Sequence, residues 1–198
     1  MKGSVKAHIS LLLAASMWGL MSPVGKAAME AGITGLTLAN MRMIGAAVCF
    51  WTTSFFVKQE KVNPHDLLML FFASLLGIVC NQGCFTFGLS LTSPVDASIM
   101  TTTMPIVTMI LAALFLKEPV TPKKVIGIFL GSIGALTLIL SNRGGDTEGG
   151  SVWGDALCMA AQISFACYLT IFKKLIARYH VITLMKWMFT YAAICFIP

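Results

Sequence analysis

The chain has 198 residues, of which 57% are hydrophobic and only 11% are charged, and its mean hydropathy is +0.84. Soluble domains typically carry about 25% charged residues, so this composition excludes a water-covered globular protein and is typical of a chain in a lipid bilayer. The formal net charge of +6 is interpreted here as a topology signal, and no nucleic-acid partner is expected.

Seven charge-poor segments separate the clusters of charged residues. Each is close to the roughly 17–25 apolar residues that a spanning helix needs. The second and the last contain one basic residue each, Arg42 and Lys186. Because the backbone in lipid must satisfy its own hydrogen bonds, we predict an all-α, polytopic transmembrane helix bundle. The predicted spans are residues 7–25, 35–57, 67–95, 97–116, 125–142, 156–172 and 181–198.

The distribution of lysine and arginine predicts the orientation. With the N-terminus in the cytoplasm, the outer side carries only Lys26 and Arg143. This bias predicts a multi-pass protein of the cytoplasmic (inner) cell membrane with a cytoplasmic N-terminus. Ten basic residues then lie on the cytoplasmic side: Lys2, Lys6, Lys58, Lys61, Lys117, Lys123, Lys124, Lys173, Lys174 and Arg178.

Two dipeptides recur at one spacing. Ala-Ala occupies 14–15 and 160–161, and Thr-Leu occupies 37–38 and 183–184, so both recur after 146 positions (160 − 14 and 183 − 37). The shared offset at matching points of the hydropathy pattern predicts a repeat. Because a unit of five spans is odd, its second copy would enter the membrane from the opposite side, as in transporters with inverted repeats.

This pattern predicts two units and a linker. Residues 7–142 form the first five-helix repeat, 143–151 a Gly-rich outer linker, and 152–198 the start of a second repeat with two helices. A complete copy would need about three more spans. We therefore expect the chain to be a fragment or a truncated product.

Arg42 is the first candidate for a functional residue, because charged side chains within a membrane usually mark a site. It lies about 10 Å into the second span at 1.5 Å per residue. Two interpretations remain open: a snorkelling or ion-paired structural role, and a role in lining a cavity. Asp96, near the outer start of the fourth span, is its expected charged partner.

Three other polar or aromatic residues lie inside spans. Asn81 and Gln82 are adjacent in the third span, and each either bonds between helices or contacts substrate. Trp18 lies in mid-span, away from the interfacial belt where tryptophan is usual. It either packs in the core or stacks on a substrate.

Prolines and glycines predict local geometry in the spans. Pro105 should bend the fourth span, and Pro23 the first, because proline lacks the N–H of the helical ladder. Thr102 and its neighbours precede Pro105, where a hydroxyl can either satisfy a freed carbonyl or meet substrate. Gly127 and Gly131 form a Gly-xxx-Gly face for close helix packing, in a monomer or in a homodimer.

No residue pattern points to catalysis. The histidines lie at span edges, no carboxylate lies near mid-span, and the six cysteines fall inside spans, where thiols pack as small hydrophobes. An intramembrane enzyme would need a base, a nucleophile or a metal-ligand set at depth. We therefore predict no enzyme, no catalytic residue, no cofactor and no metal.

The order of several features resembles the EamA domain of the drug/metabolite transporter superfamily. The features are the small-residue-rich helix with Pro105, the apolar run ending in Glu118, and the following helix with Gly127 and Gly134. Trp18 with Lys26 after it, and Arg42 early in the second span, also look like that pattern. The resemblance implies two inverted five-helix repeats and transport, often export, of small metabolites or drugs. Unlike small multidrug members, the first span has no embedded glutamate, which favours metabolites over cationic drugs.

The hypothesis is a secondary transporter, an exporter of small organic metabolites such as amino acids, or of drugs. Its expected partners are this small-molecule substrate and the bilayer. Two alternatives stay open: a non-transporting scaffold or partner-dependent half-transporter, and an intramembrane enzyme. The expected substrate-binding residues are Trp18, Arg42, Asn81, Gln82 and Thr102.

Overall fold

The computed structural model describes residues 2–141 and 151–197, which form helices and connecting turns without a strand among them. Most of the predicted linker, including Arg143, and the last residue of the seventh predicted span lie outside these residues. Within them, a helical segment coincides with every predicted span.

The first two spans form helices of different exposure. α1 (Lys2–Glu30) is continuous through Pro23, and the turn that follows it contains Gly32, whose positive φ of 96° favours glycine. α2 (Gly35–Ser54) begins after Thr34, whose hydroxyl oxygen accepts a hydrogen bond from the Thr37 N–H at 3.2 Å. This N-cap satisfies one of the free donors in the first turn.

The third span contains an irregular segment that the sequence did not predict. α3 (Pro64–Ser74) continues into a π-helical segment, Leu75–Cys80, and then into α4 (Asn81–Leu91). The Ser164 hydroxyl donates to the Leu76 carbonyl at 2.7 Å, which satisfies a carbonyl within that segment. π-Helical turns are rare and occur often at functional sites.

The fourth span is broken before Pro105, as predicted. α5 (Pro94–Thr101) and α6 (Met104–Leu116) are separated by two turn residues. The hydroxyls of Thr102 and Thr103 donate to the Ile99 and Met100 carbonyls at 2.7 and 2.6 Å. These carbonyls lie in the last turn of α5 and also accept the backbone N–H groups of Thr102 and Thr103.

The remaining helices complete the bundle. They are α7 (Pro122–Ser141), α8 (Val152–Ile171), the short α9 (Lys173–Ile176) and α10 (Val181–Cys195). The main packing pairs are α4 with α8 and α2 with α10. Among the described residues, four helical segments are long and apolar enough to cross a bilayer, 5–30, 64–91, 94–116 and 152–171, so the chain is a multi-pass membrane protein.

Glycines allow α4 and α8 to approach closely. A Cβ built on Gly88 would lie 2.7 Å from the Gly154 carbonyl oxygen, and one on Gly154 would lie 2.9 Å from the Gly88 carbonyl oxygen. Any larger residue at either position would force the backbones apart.

Charged contacts join three connections at one end of the bundle. Glu118, after α6, forms an ion pair with Lys173 of α9. Asp66, at the start of α3, accepts hydrogen bonds from Arg178 at 2.7 Å and from the Tyr179 hydroxyl at 2.6 Å. The Glu60 carboxylate accepts from the His180 N–H at 2.9 Å. These loops lie on one side, as the alternation of spans predicts.

Hydrogen bonds to backbone and hydroxyl groups join the opposite end. The Lys26 ammonium donates to the carbonyls of Leu89 and Thr92 at 3.2 and 3.1 Å, and so caps the end of α4. The Thr92 hydroxyl donates to Asp155 at 2.6 Å, and the Ser151 N–H donates to the Leu91 carbonyl at 3.2 Å.

Candidate functional site

A cavity of about 650 Å³ lies within the bundle and brings together most of the predicted site. Side chains from α1, α2, the π-helical segment, α4, α8 and α10 line it. Its wall includes four of the five predicted binding residues: Trp18, Arg42, Asn81 and Gln82.

Arg42 supplies the positive charge in the cavity wall. It is half-buried, and its Nη2 lies 3.1 Å from the Met21 sulfur. The expected pairing of Arg42 with Asp96 stays a prediction. The Asp96 carboxylate accepts a hydrogen bond from the Ser93 hydroxyl at 2.7 Å, within the first turn of α5.

The adjacent amides have different surroundings. Asn81 is buried and donates to the Ala161 carbonyl of α8 at 2.9 Å, which is a bond between helices. Gln82 donates through Nε2 to the Asn81 side-chain oxygen at 3.0 Å. The Gln82 side-chain oxygen is buried and has no hydrogen-bond partner among the described residues. An acceptor left this way carries a desolvation cost until a donor reaches it.

Trp18 lies between two cavities. Its side chain is 48% exposed, and its ring meets Phe165 edge-on with centroids 5.9 Å apart. Trp18 lines the Arg42 cavity and also a second cavity of about 460 Å³. Trp18 is therefore part of the wall of both cavities and is not a fully packed core side chain.

Thr102 lies in this second cavity, apart from the other predicted residues. It shares the wall with Pro105, Gly127 and Gly131. A Cβ built on either glycine would meet no described atom within 4 Å. The Gly-xxx-Gly face is thus not packed against another described helix of this chain, and its role between two copies stays a prediction.

The aromatic wall of the Arg42 cavity was not predicted from the sequence. Phe165 and Tyr168 of α8 and Phe189 of α10 line it. Gly77 makes room for Tyr168, because a Cβ there would lie 2.7 Å from the ring. The sequence alone does not show that an aromatic residue in an apolar span lines a cavity. The spacing of about one helical turn between Phe165 and Tyr168 indicates only that they share a helix face.

Lys186 is a second missed feature. It lies in α10, is only 5% exposed, and its ammonium donates to the Gln59 side-chain oxygen at 3.0 Å. The same ammonium lies 5.0 Å from the centre of the Trp51 ring. These partners explain how a charge is tolerated inside the last span.

The cavity combines a cation, an amide acceptor and aromatic surfaces. No group of three or more His, Cys, Asp or Glu side chains suited to a metal occurs among the described residues. A guanidinium binds carboxylate or phosphate, and aromatic rings bind apolar bodies. This arrangement is suited to holding a small amphipathic molecule.

The fold and the cavity define a polytopic helical membrane protein with an internal binding space. The EamA-like transporter family matches residues 5–140, more than half of the chain, and the protein belongs to that family.

Relatives agree with this assignment. An "Uncharacterized transporter" of Archaeoglobus fulgidus is 26% identical over 91% of this chain and 62% of its own length. The Bacillus subtilis "Uncharacterized transporter YetK" is 24% identical over 100% of this chain and 60% of its own. "Protein WALLS ARE THIN 1" of Arabidopsis thaliana is 31% identical over 59% of this chain and 31% of its own.

One solved crystal structure shares the fold, with a TM-score of 0.63 and 15% identity over 91% of this chain and 65% of its own. The chain thus spans about three fifths of the length of the first two relatives.

Proposed function

We propose that the protein is a secondary transporter that exports small organic metabolites such as amino acids, or drugs, across the cytoplasmic membrane. The observation that carries the proposal is the cavity of about 650 Å³ lined by Arg42, Asn81 and Gln82. Its size is within the range of about 300–1,000 Å³ that is typical of small-molecule sites.

The wall supports a substrate with an anionic or zwitterionic group and an apolar body. Arg42 would bind the anionic group through its planar donors. The free oxygen of Gln82 would accept a hydrogen bond from a substrate N–H or O–H. Trp18 and Tyr168 would cover the apolar part, while Thr102 would contact substrate from the second cavity.

The proposed topology has a cytoplasmic N-terminus and inverted repeats. The grouping of Glu60, Asp66 and Glu118 with 173–180 at one end supports the side assigned to these loops. The excess of lysine and arginine at that end supports its cytoplasmic location. Residues 7–142 would be the first repeat and 152–198 the start of the second.

Two alternatives predict other results. A scaffold or partner-dependent half-transporter would show no flux by itself and would gain flux with a partner. An intramembrane enzyme would convert its substrate, and the family assignment weighs against it because the named relatives are transporters.

Substituting Arg42 tests the proposal. The protein, reconstituted in liposomes, is assayed for flux of radiolabelled amino acids and other organic acids. Arg42→Ala should lower the apparent affinity for a transported anionic or zwitterionic substrate about 10–100-fold, the range expected for a charged hydrogen bond. Arg42→Lys should retain part of it, because the charge remains but the planar fork is lost.

The control is Lys58→Ala, an exposed basic residue in a loop away from the cavity wall. Its affinity should equal that of the wild type. Unchanged flux in a folded Arg42→Ala protein would remove Arg42 from the site.

A further inference from the structure

A groove separates α6 and α7. The two helices are consecutive, yet their described residues do not pack closely against each other. Cavities of about 320 and 460 Å³ lie between them, and Met104, Pro105 and Ile128 line both cavities. The shared walls make them one groove, which runs from Lys124 at the loop end to Trp18 deep in the bundle.

We propose that this groove binds an acyl chain of an anionic phospholipid, whose head group lies against the lysines of loop 117–124. The lipid would come from the leaflet on that side of the bundle. This site is distinct from the Arg42 cavity, which it meets only at Trp18.

The groove wall is suited to hydrocarbon. Nine of its 17 lining residues carry the apolar side chains of methionine, proline, alanine, isoleucine, valine or tryptophan. The hydroxyls of Thr102 and Thr108 are occupied, because they donate to the carbonyls of Ile99 and Met104 at 2.7 and 2.8 Å. Gly127 and Gly131 add no side chain and leave room for an occupant. Such a wall is suited to an acyl chain.

The length of the groove fits one leaflet. From Lys124 to Ser132 the axis of α7 rises by about 12 Å at 1.5 Å per residue. Half of a hydrocarbon core of about 30 Å is about 15 Å. An acyl chain entering at the loop would therefore end near Trp18.

The charge at the mouth selects an anionic head group. Lys117, Lys123 and Lys124 are exposed there. Glu118 is the only acidic residue of the loop, and it forms ion pairs with Lys173 and, at 3.8 Å, with Lys124. The three lysines therefore still outnumber the carboxylates at the mouth. Basic residues at a membrane surface attract anionic lipids.

A second copy of the chain is a less favourable occupant. In a two-fold dimer with its axis along the membrane normal, identical surfaces meet. The two loops with Lys117, Lys123 and Lys124 would then face each other across the contact, and like charges repel.

Native mass spectrometry of the purified chain tests the proposal. The protein is released from micelles containing equal amounts of phosphatidylglycerol and phosphatidylcholine, and the retained lipids are counted. We expect one preferentially retained phosphatidylglycerol. Lys123→Gln with Lys124→Gln should reduce the preference for phosphatidylglycerol about fivefold for each lysine removed. Lys58→Gln with Lys61→Gln, an equally exposed basic pair, is the control and should retain it.

Filling the groove gives the second test. Gly127→Leu with Gly131→Leu should abolish retention of that lipid, and these positions have space for a side chain. Gly19→Leu, which also meets nothing within 4 Å, is the matched control. Two results would overturn the proposal: equal retention of both lipids by the wild type, or retention unaffected by the filled groove. A dimer that the leucines abolish, without any lipid preference, would assign the groove to a second copy.

Discussion

The surroundings of Gln82 favour a role in substrate binding over a role in the stability of the fold. Its side-chain oxygen is buried without a partner among the described residues, whereas Asn81 beside it bonds to the Ala161 carbonyl. An unsatisfied buried acceptor carries a desolvation cost, which the proposed substrate would remove by supplying a donor.

Gln82→Leu should therefore reduce substrate affinity more than it reduces the stability of the fold. We expect the free energy of unfolding to change by less than about 1 kcal/mol, because an orphan acceptor is removed together with one hydrogen bond. Apparent substrate affinity should fall about tenfold or more. Transport kinetics and thermal unfolding in detergent measure the two effects.

Asn81→Leu is the matched variant on the adjacent residue. It removes a buried bond between helices, and we expect about 1–2 kcal/mol of destabilisation. Equal loss of stability in both variants would contradict the separation of roles.

The sequence predicted Arg42, Asn81 and Gln82 as a polar set because polar groups at membrane depth are conspicuous by type alone. It could not predict Tyr168 or Phe189 in the same wall, because aromatic residues are equally at home in lipid.

At the scale of elements, the contact between α4 and α8 depends on two glycines. Gly88 lies against the backbone of Gly154, and a Cβ built on Gly88 would lie 2.7 Å from the Gly154 carbonyl oxygen. Gly83, in the same helix, has 3.5 Å to the nearest described atom, the ring of Phe196.

Gly88→Ala should separate the helices and destabilise the fold by about 1–3 kcal/mol, the range for overpacking. Gly83→Ala should be neutral or stabilising, since alanine has the higher helix propensity and fits. Thermal unfolding of both proteins checks the prediction. A Gly88→Ala protein as stable as Gly83→Ala would show that the close contact is absent in solution.

Element positions were largely predictable, and irregularities were predictable only where a residue causes them. Charge-free gaps gave the span positions, and Pro105 gave the break between α5 and α6. The π-helical segment Leu75–Cys80 has no proline. Partners on other helices, such as Ser164, stabilise it, so it follows from tertiary contacts that local sequence does not encode.

At the scale of the molecule, Glu118 links the α6–α7 loop to α9. The hydrogen bond from Lys173, together with the charges of Lys173 and Lys124, holds the pKa of the Glu118 carboxyl below its ordinary value of 4.5. A group with a lowered folded-state pKa stabilises the fold above its unfolded pKa, and this contribution is lost as the pH falls through the folded value.

Glu118→Gln should therefore lower the melting temperature slightly at pH 7. The difference from the wild type should shrink as the pH falls below about 4.5, the ordinary value for the group. Melting curves in detergent from pH 7 to pH 3 test this. A difference that is constant over this range would rule out the ionised pair as its cause.

The two ends of the bundle are joined by different forces. At one end the described contacts include ion pairs of Glu118 and Asp66. At the other, Lys26 binds carbonyls and Thr92 binds Asp155. The Debye length, beyond which exposed charges are largely screened from each other, falls from about 8 Å at 0.15 M salt to about 3 Å at 1 M.

High ionic strength should therefore weaken the contacts at the ion-paired end of the bundle and leave those at the other end unchanged. We expect hydrogen exchange at 117–118 and 173–180 to accelerate in 1 M salt, while exchange at the start of α8 stays constant. Equal acceleration at both ends would contradict this. If the protein transports as proposed, the lysine-rich face would open more readily at high salt, and the opposite face would not respond to it.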